Sequence, residues 1–583
     1  MKRDVPKIFA DGMGSDGTVG RHRNLNRATF FSAASWLSIP GRTADMLTVG
    51  GEGSFEQLNE RGNAINANTR TFAIALLTST FATATWAQEL GRVHFQTSCT
   101  PQAQEKFDRA LAMVHSFVYP DSVQAFTEAA AADPQCAIAY WGIAISHRPN
   151  PLILPLAAAV LKNGWEAVEK GKAIGAKTER ERDCKVDQTT RGLAYEKAME
   201  QLVQKYPDDQ EAASFYALAL NETALPSDKS YAKELKAGAI LEKILATQPN
   251  HPGALHYLIH TYDYPPLAQR ALEAANKYAD VAPAAQHAQH MPSHTYSMLG
   301  LWQQSVESNG KSRMRAEEQA ARLWPGAAHP SEPHHLDFAE YALLQMGKEQ
   351  QARQLRDESN AIKKLGFDFL GSYTGPAAVP ARFALERQAW NEAAGLEPRG
   401  SQFPQAEAIT YFARAIGSAR GGNPLAADQE VGKLKELRAA LEKANQSYWA
   451  EQVEIQMLAA SAWIAQAKGQ KEEAVKFMRA AADLEDNSEK HIAMENRLYP
   501  MRELLGDLLL EQQQYAQALN EYEVSFQSTP NRLRGLYGAA KAAQGARQPE
   551  KAAIYFRKLA ELTKDADADR LEIREAKAFL TRR

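Results

Sequence analysis

A spacing of 34 residues recurs along the chain and narrows the folds that it can adopt. Pro249 and Pro283 are 34 residues apart, and so are Ala518 and Ala552 near the C-terminus. Small and aromatic residues recur at this distance when each repeat is a pair of antiparallel helices. One such hairpin cannot bury its apolar face alone, so neighbouring hairpins must stack. The sequence therefore predicts an all-α chain of stacked helical hairpins.

This repeat length is typical of tetratricopeptide repeats, whose hairpins stack into a curved superhelical solenoid. Gly347 and Gly469 extend the pattern, because each is a turn glycine followed five residues later by an alanine. With 583 residues, of which 44% are hydrophobic, the chain is too long for one ordinary compact domain. We expect two tetratricopeptide-like solenoids, over residues 88–365 and 366–583, the first with a histidine-rich groove.

The segment before the repeats lacks this pattern. Residues 1–65 contain glycine-rich runs without helical periodicity, and we expect an unstructured extension that precedes the true translation start. Residues 66–87 are typical of a secretory signal peptide, because Arg70 precedes an apolar stretch and small residues follow up to Ala87. The apolar stretch is too short to span a bilayer, and a short buried segment of a cytoplasmic protein is the alternative. The sequence thus predicts a periplasmic or secreted protein with no transmembrane segment.

Charge and cysteine usage limit the partners and the compartment. The 67 basic and 70 acidic residues give a net charge of −3, so no basic field is available to attract nucleic acid. Cys99 and Cys136 fall at the starts of two successive repeats, and an oxidising periplasm would allow a disulfide between them. Cys184 would then be unpaired. Buried free thiols are the alternative.

Beyond the general repeat pattern, several strings resemble those of a bacterial family of exported tetratricopeptide-repeat proteins, from about residue 92 to the C-terminus. The resemblance implies this fold and export, and it implies no particular activity. The chain departs from the family pattern after residue 491, where a turn rich in proline and glycine would be expected. The strings are residues 94–99 (HFQTSC), 139–144 (AYWGIA), 256–263 (HYLIHTYD), 290–294 (HMPSH), 485–486 (ED) and 489–491 (EKH).

Two pairs of histidines are the clearest candidates for chemistry. His256 and His260 are four residues apart, as are His290 and His294, so each pair projects from one face of its helix. The second pair follows the first by 34 residues, which places both pairs at equivalent positions of consecutive repeats. In the repeat proteins that this chain resembles, those positions line the concave groove. Packed helices lie close enough for the two pairs to converge on a metal ion, and four imidazoles would form its first ligands.

Nearby side chains extend the candidate site. Asp263 follows the first pair and Asp337 begins the next hairpin, so either carboxylate could complete the ligands or orient an imidazole by accepting its other N–H. Internal duplication without metal binding is the alternative explanation for the repeated histidines. Four further histidines are candidates for the same groove: His115, His147, His287 and His335.

Imidazole ligands without thiolates are suited to copper, zinc or iron. The chain has no His-Glu-x-x-His string of a zinc protease, no phosphate loop and no Gly-x-Ser-x-Gly nucleophile elbow. The sequence favours a repeat protein whose groove binds a protein or peptide partner, together with a transition metal held by the paired histidines. The alternative is a metal-dependent enzyme that acts on a small molecule in the same groove.

Overall fold

A computed structural model describes residues 90–147, 158–178, 181, 192–225, 227–491, 494 and 497–581. The proposed extension at 1–65, the proposed signal peptide at 66–87 and Cys184 lie outside these residues. The described residues form helices joined by turns and short extended segments, with a single isolated β-bridge between Ala328 and Leu365. The all-α prediction is confirmed. None of the described helices combines the length and apolar character that a membrane span requires.

In chain order the helices of the described residues are α1 (Pro101–His115), α2 (Tyr119–Ala132), α3 (Ala137–Ser146), α4 (Ala158–Ile174), α5 (Gly192–Lys205), α6 (Gln210–Glu222), α7 (Ala232–Thr247), α8 (Pro252–Thr261), α9 (Ala268–Val281), α10 (Gln286–His290), α11 (Pro292–Met298), α12 (Trp302–Leu323), α13 (Glu332–Gln345), α14 (Glu349–Ala361), α15 (Gly371–Glu386), α16 (Trp390–Ala394), α17 (Pro404–Arg420), α18 (Pro424–Lys443), α19 (Ser447–Ala467), α20 (Lys471–Asp486), α21 (Met501–Glu511), α22 (Tyr515–Ser525), α23 (Leu533–Gly545), α24 (Pro549–Leu562) and α25 (Leu571–Thr581).

Consecutive helices pack against each other as hairpins, and small residues make the close contacts possible. The ring of Tyr522 lies against both Gly506 and Gly538, where a Cβ atom would collide with it. The predicted turn glycines Gly347 and Gly469 adopt φ values of +71° and +77°. Glycine reaches this left-handed region at little cost, and the reversal lets the next helix fold back. Stacked hairpins of the tetratricopeptide type follow from these local features.

The stack curves until late helices meet earlier ones. The indole N–H of Trp302 donates to the carbonyl oxygen of Asn531 at 2.8 Å, across 229 residues. The ammonium of Lys490 donates to Asp263 Oδ2 at 2.6 Å, across 227 residues. Side chains on the inner side of the curve are therefore enclosed by the chain itself. The proposed boundary at 365/366 falls between α14 and α15, and α13 packs against α15 across it, so the division into two solenoids stays a prediction.

A disulfide joins Cys99 to Cys136, with the Cα atoms 4.9 Å apart. This separation lies within the range of protein disulfides. The bond fixes the extended segment before α1 to the start of α3. Residues of that segment, including the buried Phe95, pack into the first hydrophobic core.

Candidate metal centre

The two histidine pairs occupy equivalent positions of consecutive repeats and point inward, although the second pair is divided between two short helices. His256 and His260 lie on α8, and their ring centroids are 4.8 Å apart. His290 ends α10 and His294 lies on α11, with centroids 4.9 Å apart. All four are buried, with exposed fractions from 0 to 3%. They line the interior of the curved stack, where the sequence predicted a groove open to a partner.

Each pair is joined by a third imidazole from the hairpin that follows it. His287 completes a first triad with His256 and His260, and His334 completes a second triad with His290 and His294. Within each triad one ligand atom per residue lies within 4.8 Å of the others. The sequence placed the four paired histidines around one ion, whereas the structure divides them between two sets. The division arises because each pair lies closer to the start of the next hairpin than to the other pair.

The two triads adjoin each other, and we call them together the six-histidine cluster. The rings of His260 and His294 are 5.9 Å apart between centroids, and those of His287 and His290 are 6.0 Å apart. These separations match the longest ones within a triad, such as 6.0 Å between His294 and His334. Two ions held by the triads would therefore be neighbours.

Hydrogen bonds fix the ring protons of three members. His256 Nδ1 donates to the carbonyl oxygen of His115 at 2.6 Å, and a carbonyl can only accept. His294 Nδ1 donates to Asp263 Oδ2 at 2.8 Å, and the same oxygen accepts from Lys490. Since a neutral imidazole carries one proton, the Nε2 atoms of His256 and His294 present lone pairs.

His290 is held in the same tautomer by an amide. Its Nδ1 donates to Asn309 Oδ1 at 2.7 Å, and Asn309 Nδ2 donates to the carbonyl oxygen of Ser305 at 2.8 Å, which fixes the amide orientation. His290 Nε2 lies 3.0 Å from His294 Nε2. Two lone pairs therefore face each other at hydrogen-bonding distance with no proton between them. A cation between them would turn this repulsion into coordination.

His260 adds a second unsatisfied site. Neither of its ring nitrogens has a hydrogen-bond partner within the described part of the chain, although the side chain is only 3% exposed. A buried polar atom without a partner costs about 1–3 kcal/mol. Coordination of a metal ion by one of these nitrogens would remove part of that cost.

Two phenylalanines shield the cluster from water. The ring of Phe117 lies 4.4 Å from that of His256 and 5.3 Å from that of His287. Phe117 takes a φ of 53°, which is unusual for a bulky residue. Phe338 covers the second triad, 4.8 Å from His290 and 4.7 Å from His294. Burial lowers the pKa of His256 to about 3 and that of His290 to about 4, so these rings are in the neutral form that binds metals.

The two predicted carboxylates have different positions. Asp263 contacts the second triad through His294 Nδ1, so it orients a ring and does not join the grouped ligand atoms. Burial raises the pKa of Asp263, an effect that Lys490 opposes. Asp337 lies outside both triads, because its carboxylate forms a buried ion pair with Arg382 from α15. The guanidinium attracts this carboxylate more strongly than a neutral imidazole would.

The remaining predicted histidines differ in their surroundings. His115 supports the first triad through its carbonyl oxygen, while its ring bonds to Tyr257 and Glu211. His335 lies beside His290, and its ring nitrogens are 3.3 and 3.4 Å from Ser312 Oγ. His147 directly follows α3 as its C-cap, and the described residues record no contact between it and the cluster.

His334 was missed as a ligand by the sequence reasoning. A signal was available, since His287 and His334 both lie near the start of the first helix of a hairpin that follows a histidine pair. Stacking brings the start of such a helix next to the preceding pair. Neither His287 nor His334 has a histidine four residues away, so the pairing pattern could not identify His334.

A third group of ligand-type residues lies nearby and is fully bonded. His115 Nε2 donates to Glu211 Oε2 at 2.7 Å, and His251 Nε2 donates to Glu211 Oε1 at 3.1 Å. His251 Nδ1 accepts from the N–H of Ala254 at 3.1 Å, which places the ring proton on Nε2. Burial opposes ionisation of Glu211, but the two imidazoles outweigh it and lower the pKa of Glu211 well below its ordinary value. We call this set the Glu211 group; its nitrogens hold protons where a metal would need lone pairs.

No family model matches the chain, and no curated protein matches it. Solved structures similar to it include human IFIT1 as a dimer with PPP-AAAA, at 15% identity and a TM-score of 0.30, covering 66% of this chain and 72% of that chain. The APC/C hetero-tetramer Cut9–Hcn1 has 14% identity and a TM-score of 0.30, and the match covers 84% of this chain and 77% of that chain. The structure of Naa15/Naa10 bound to HypK-THB has 12% sequence identity and a TM-score of 0.20, and the match covers 82% of this chain and 74% of that chain. Likenesses this weak assign no function, and membership of the exported bacterial family stays a prediction.

Proposed function

We propose that this protein is a transition-metal protein that holds two neighbouring metal ions, one in each histidine triad. The observation that carries the proposal is the approach of His290 Nε2 to His294 Nε2 at 3.0 Å, with both Nδ1 protons committed to other acceptors. Three-imidazole sites hold ions such as zinc and copper and leave a further position for a reacting molecule. Metal-dependent chemistry on a small molecule is therefore the activity that we infer.

The prediction of a protein partner is not needed to explain the histidines. Helical-repeat proteins commonly bind partners on a concave surface, and such a partner stays a prediction for this chain. The six-histidine cluster itself is covered by the chain's own side chains. Lys490 contributes to that cover, since its side chain is 8% exposed and contacts Asp263. A partner would contact other parts of the curved surface.

Export from the cytoplasm is a further part of the proposal. The disulfide between Cys99 and Cys136 supports an oxidising compartment, where such bonds persist. N-terminal sequencing of the protein from its native host would test the predicted cleavage near Gln88. A mature chain that retains residues 1–87 would contradict export by this signal.

The metal proposal is tested by counting ions in variants that remove one triad at a time. His260→Leu deletes a first-triad ligand that makes no hydrogen bond, and His334→Asn deletes the third ligand of the second triad. We expect two ions per chain in the native protein, one in each single variant and none in the double variant. The exposed His94→Asn is the matched control and should keep both ions. Elemental analysis after dialysis against copper, zinc or iron measures the count, and circular dichroism checks the fold.

A native chain that binds none of the three metals, with its helicity intact, would show that the cluster is structural. Equal metal content in the native chain and in the double variant would place the ions elsewhere.

A further inference from the structure

The charge around the six-histidine cluster limits which ions it can hold. Asp263 is the one carboxylate, among residues that the structure describes, that hydrogen-bonds to any of the six imidazoles. Its charge is already balanced by Lys490, whose ammonium lies 2.6 Å from the same oxygen. The six rings are neutral when they act as ligands. The cluster therefore offers no net negative charge to offset that of bound cations.

Uncompensated charge is costly in a buried site, and its cost grows steeply with the charge. Five of the six histidines are buried, with exposed fractions from 0 to 9%, and Phe117 and Phe338 add apolar walls. Two divalent ions would bring four positive charges into this interior, whereas two univalent ions would bring two. Copper(I) is univalent, accepts three imidazole ligands and needs no anion to complete its coordination.

We propose that the cluster is a dicopper centre that takes two Cu(I) ions and binds dioxygen between them. This inference rests on the proposed function, and it adds the metal, its oxidation state and the class of co-substrate. The adjoining triads supply the geometry, because the rings of His260 and His294 are 5.9 Å apart across the boundary and those of His287 and His290 are 6.0 Å apart. A diatomic molecule can then contact both ions at once.

Electron and charge balance agree with a buried site. Dioxygen takes one electron from each Cu(I), which gives two Cu(II) ions and one bound peroxide dianion; the O–O bond order falls and no proton is required. Two Cu(I) ions carry two positive charges, and two Cu(II) ions with a peroxide carry the same net charge. The oxygenated and reduced clusters therefore impose the same net charge on an interior that cannot supply a counter-ion.

A small neutral molecule can reach the cluster past His287 and His334, the third members of the two triads. His287 is the one partly exposed member of the cluster, and His334 is the most exposed of the buried five at 9%. The paired histidines behind them are at most 3% exposed. Dioxygen carries no charge and little hydration, so the apolar rings of Phe117 and Phe338 do not oppose its entry as they would oppose an anion's.

The test is an anaerobic titration of the full chain with Cu(I) against a competing chelator, followed by exposure to air. We expect the native chain to bind two Cu(I) ions and then to consume one dioxygen for every two copper ions. The oxidised copper should be silent in electron paramagnetic resonance, because bridged Cu(II) ions couple their spins. In His260→Leu or His334→Asn, one Cu(I) should bind, stoichiometric uptake of dioxygen should be lost, and any Cu(II) formed should give an isolated signal.

Parallel loading with zinc separates this inference from the proposal on which it rests. Two zinc ions per native chain, falling to one in each variant, would support the two sites whatever copper does. If zinc binds in this way but two Cu(I) ions do not, or if loaded copper yields separate Cu(II) signals in air, the dicopper inference is overturned alone. If the native chain binds neither of these metals, nor iron, both proposals fall.

Discussion

The Glu211 group and the six-histidine cluster look alike by proximity and differ in where their protons lie. Each triad of the cluster, like the Glu211 group, holds ligand-type atoms within 4.8 Å of one another, and all these residues except the partly exposed His287 are buried. In the Glu211 group both imidazoles donate to one carboxylate, so the set is satisfied without an ion. In the cluster the Nδ1 protons of His256, His290 and His294 point outward, and the Nε2 lone pairs point inward. The hydrogen-bond partners of the imidazoles decide which ring nitrogen keeps its proton, and therefore which set of histidines can coordinate a metal.

The largest effect expected of a single substitution comes from removing the carboxylate of the Glu211 group. Glu211→Leu leaves the Nε2–H groups of His115 and His251 buried without an acceptor, so the free energy of unfolding should fall by about 3–5 kcal/mol. The metal content should remain two ions per chain. Urea unfolding and elemental analysis measure the two quantities. A loss of metal without a loss of stability would reverse the assignment of the two regions.

Metal ions should raise the free energy of unfolding through the six-histidine cluster and not through the Glu211 group. At a free metal concentration about 100 times the Kd, each occupied site adds about 2.7 kcal/mol to the free energy of unfolding. Thermal unfolding with and without metal should show an upward shift of Tm in the native chain and none in the His260→Leu/His334→Asn double variant. An equal shift in both would mean that the ion stabilises some other region.

Substitutions of the two predicted carboxylates, Asp263 and Asp337, form a matched pair, and the expected change in metal affinity is of intermediate size. Asp263→Asn removes the acceptor that orients His294, so the affinity of the second triad should fall about 10–100-fold, which is about 1.4–2.7 kcal/mol. Asp337→Asn is the control, because the carboxylate of Asp337 pairs with Arg382 and lies outside both triads. It should lower stability and leave the Kd unchanged. Competition titration against a chelator of known affinity checks both, and equal losses of affinity would refute the distinction.

The smallest expected effect concerns Glu340, a buried carboxylate without the hydrogen-bond donors that Glu211 has. Neither side-chain oxygen of Glu340 has a hydrogen-bond partner among the described residues. Burial raises the pKa of Glu340 well above its ordinary value; Arg382 and Arg356 oppose this rise, and Asp337 and Glu386 add to it.

The folded state therefore favours protonated Glu340, and the stability of the native chain should decrease as the pH rises above the unfolded value near 4.5. Glu340→Gln should match the native chain near pH 5 and exceed its stability by about 1 kcal/mol at pH 8. Glu211 has the opposite sign, because its lowered pKa gives stability that is lost as the pH falls. Unfolding curves across this range measure the difference, and parallel pH profiles would count against a buried ionised Glu340.

The sequence was sufficient for the features that repeat locally. The 34-residue spacing predicts the hairpins, and the four-residue spacing places the first histidine pair on one face of α8. The second pair departs from that prediction, because its two members lie on the successive helices α10 and α11. Stacking determines the rest. His287 belongs to the second repeat by spacing and to the first triad by position, and Asp337 is drawn to Arg382, a residue on another helix. Neither outcome can be read from periodicity, because each depends on which helix faces which after the stack has curved.

The contact between Lys490 and Asp263 also bears on when the centre can mature. The two residues are 227 positions apart, so the lysine leaves the ribosome long after both histidine pairs have been made. An early portion of the chain can form the helices that carry the imidazoles, but it lacks the ammonium that holds the acceptor of His294. If the cluster binds the proposed ions, their secure capture waits for the last third of the polypeptide, and prematurely terminated chains would hold such ions weakly and release them to the surrounding pool.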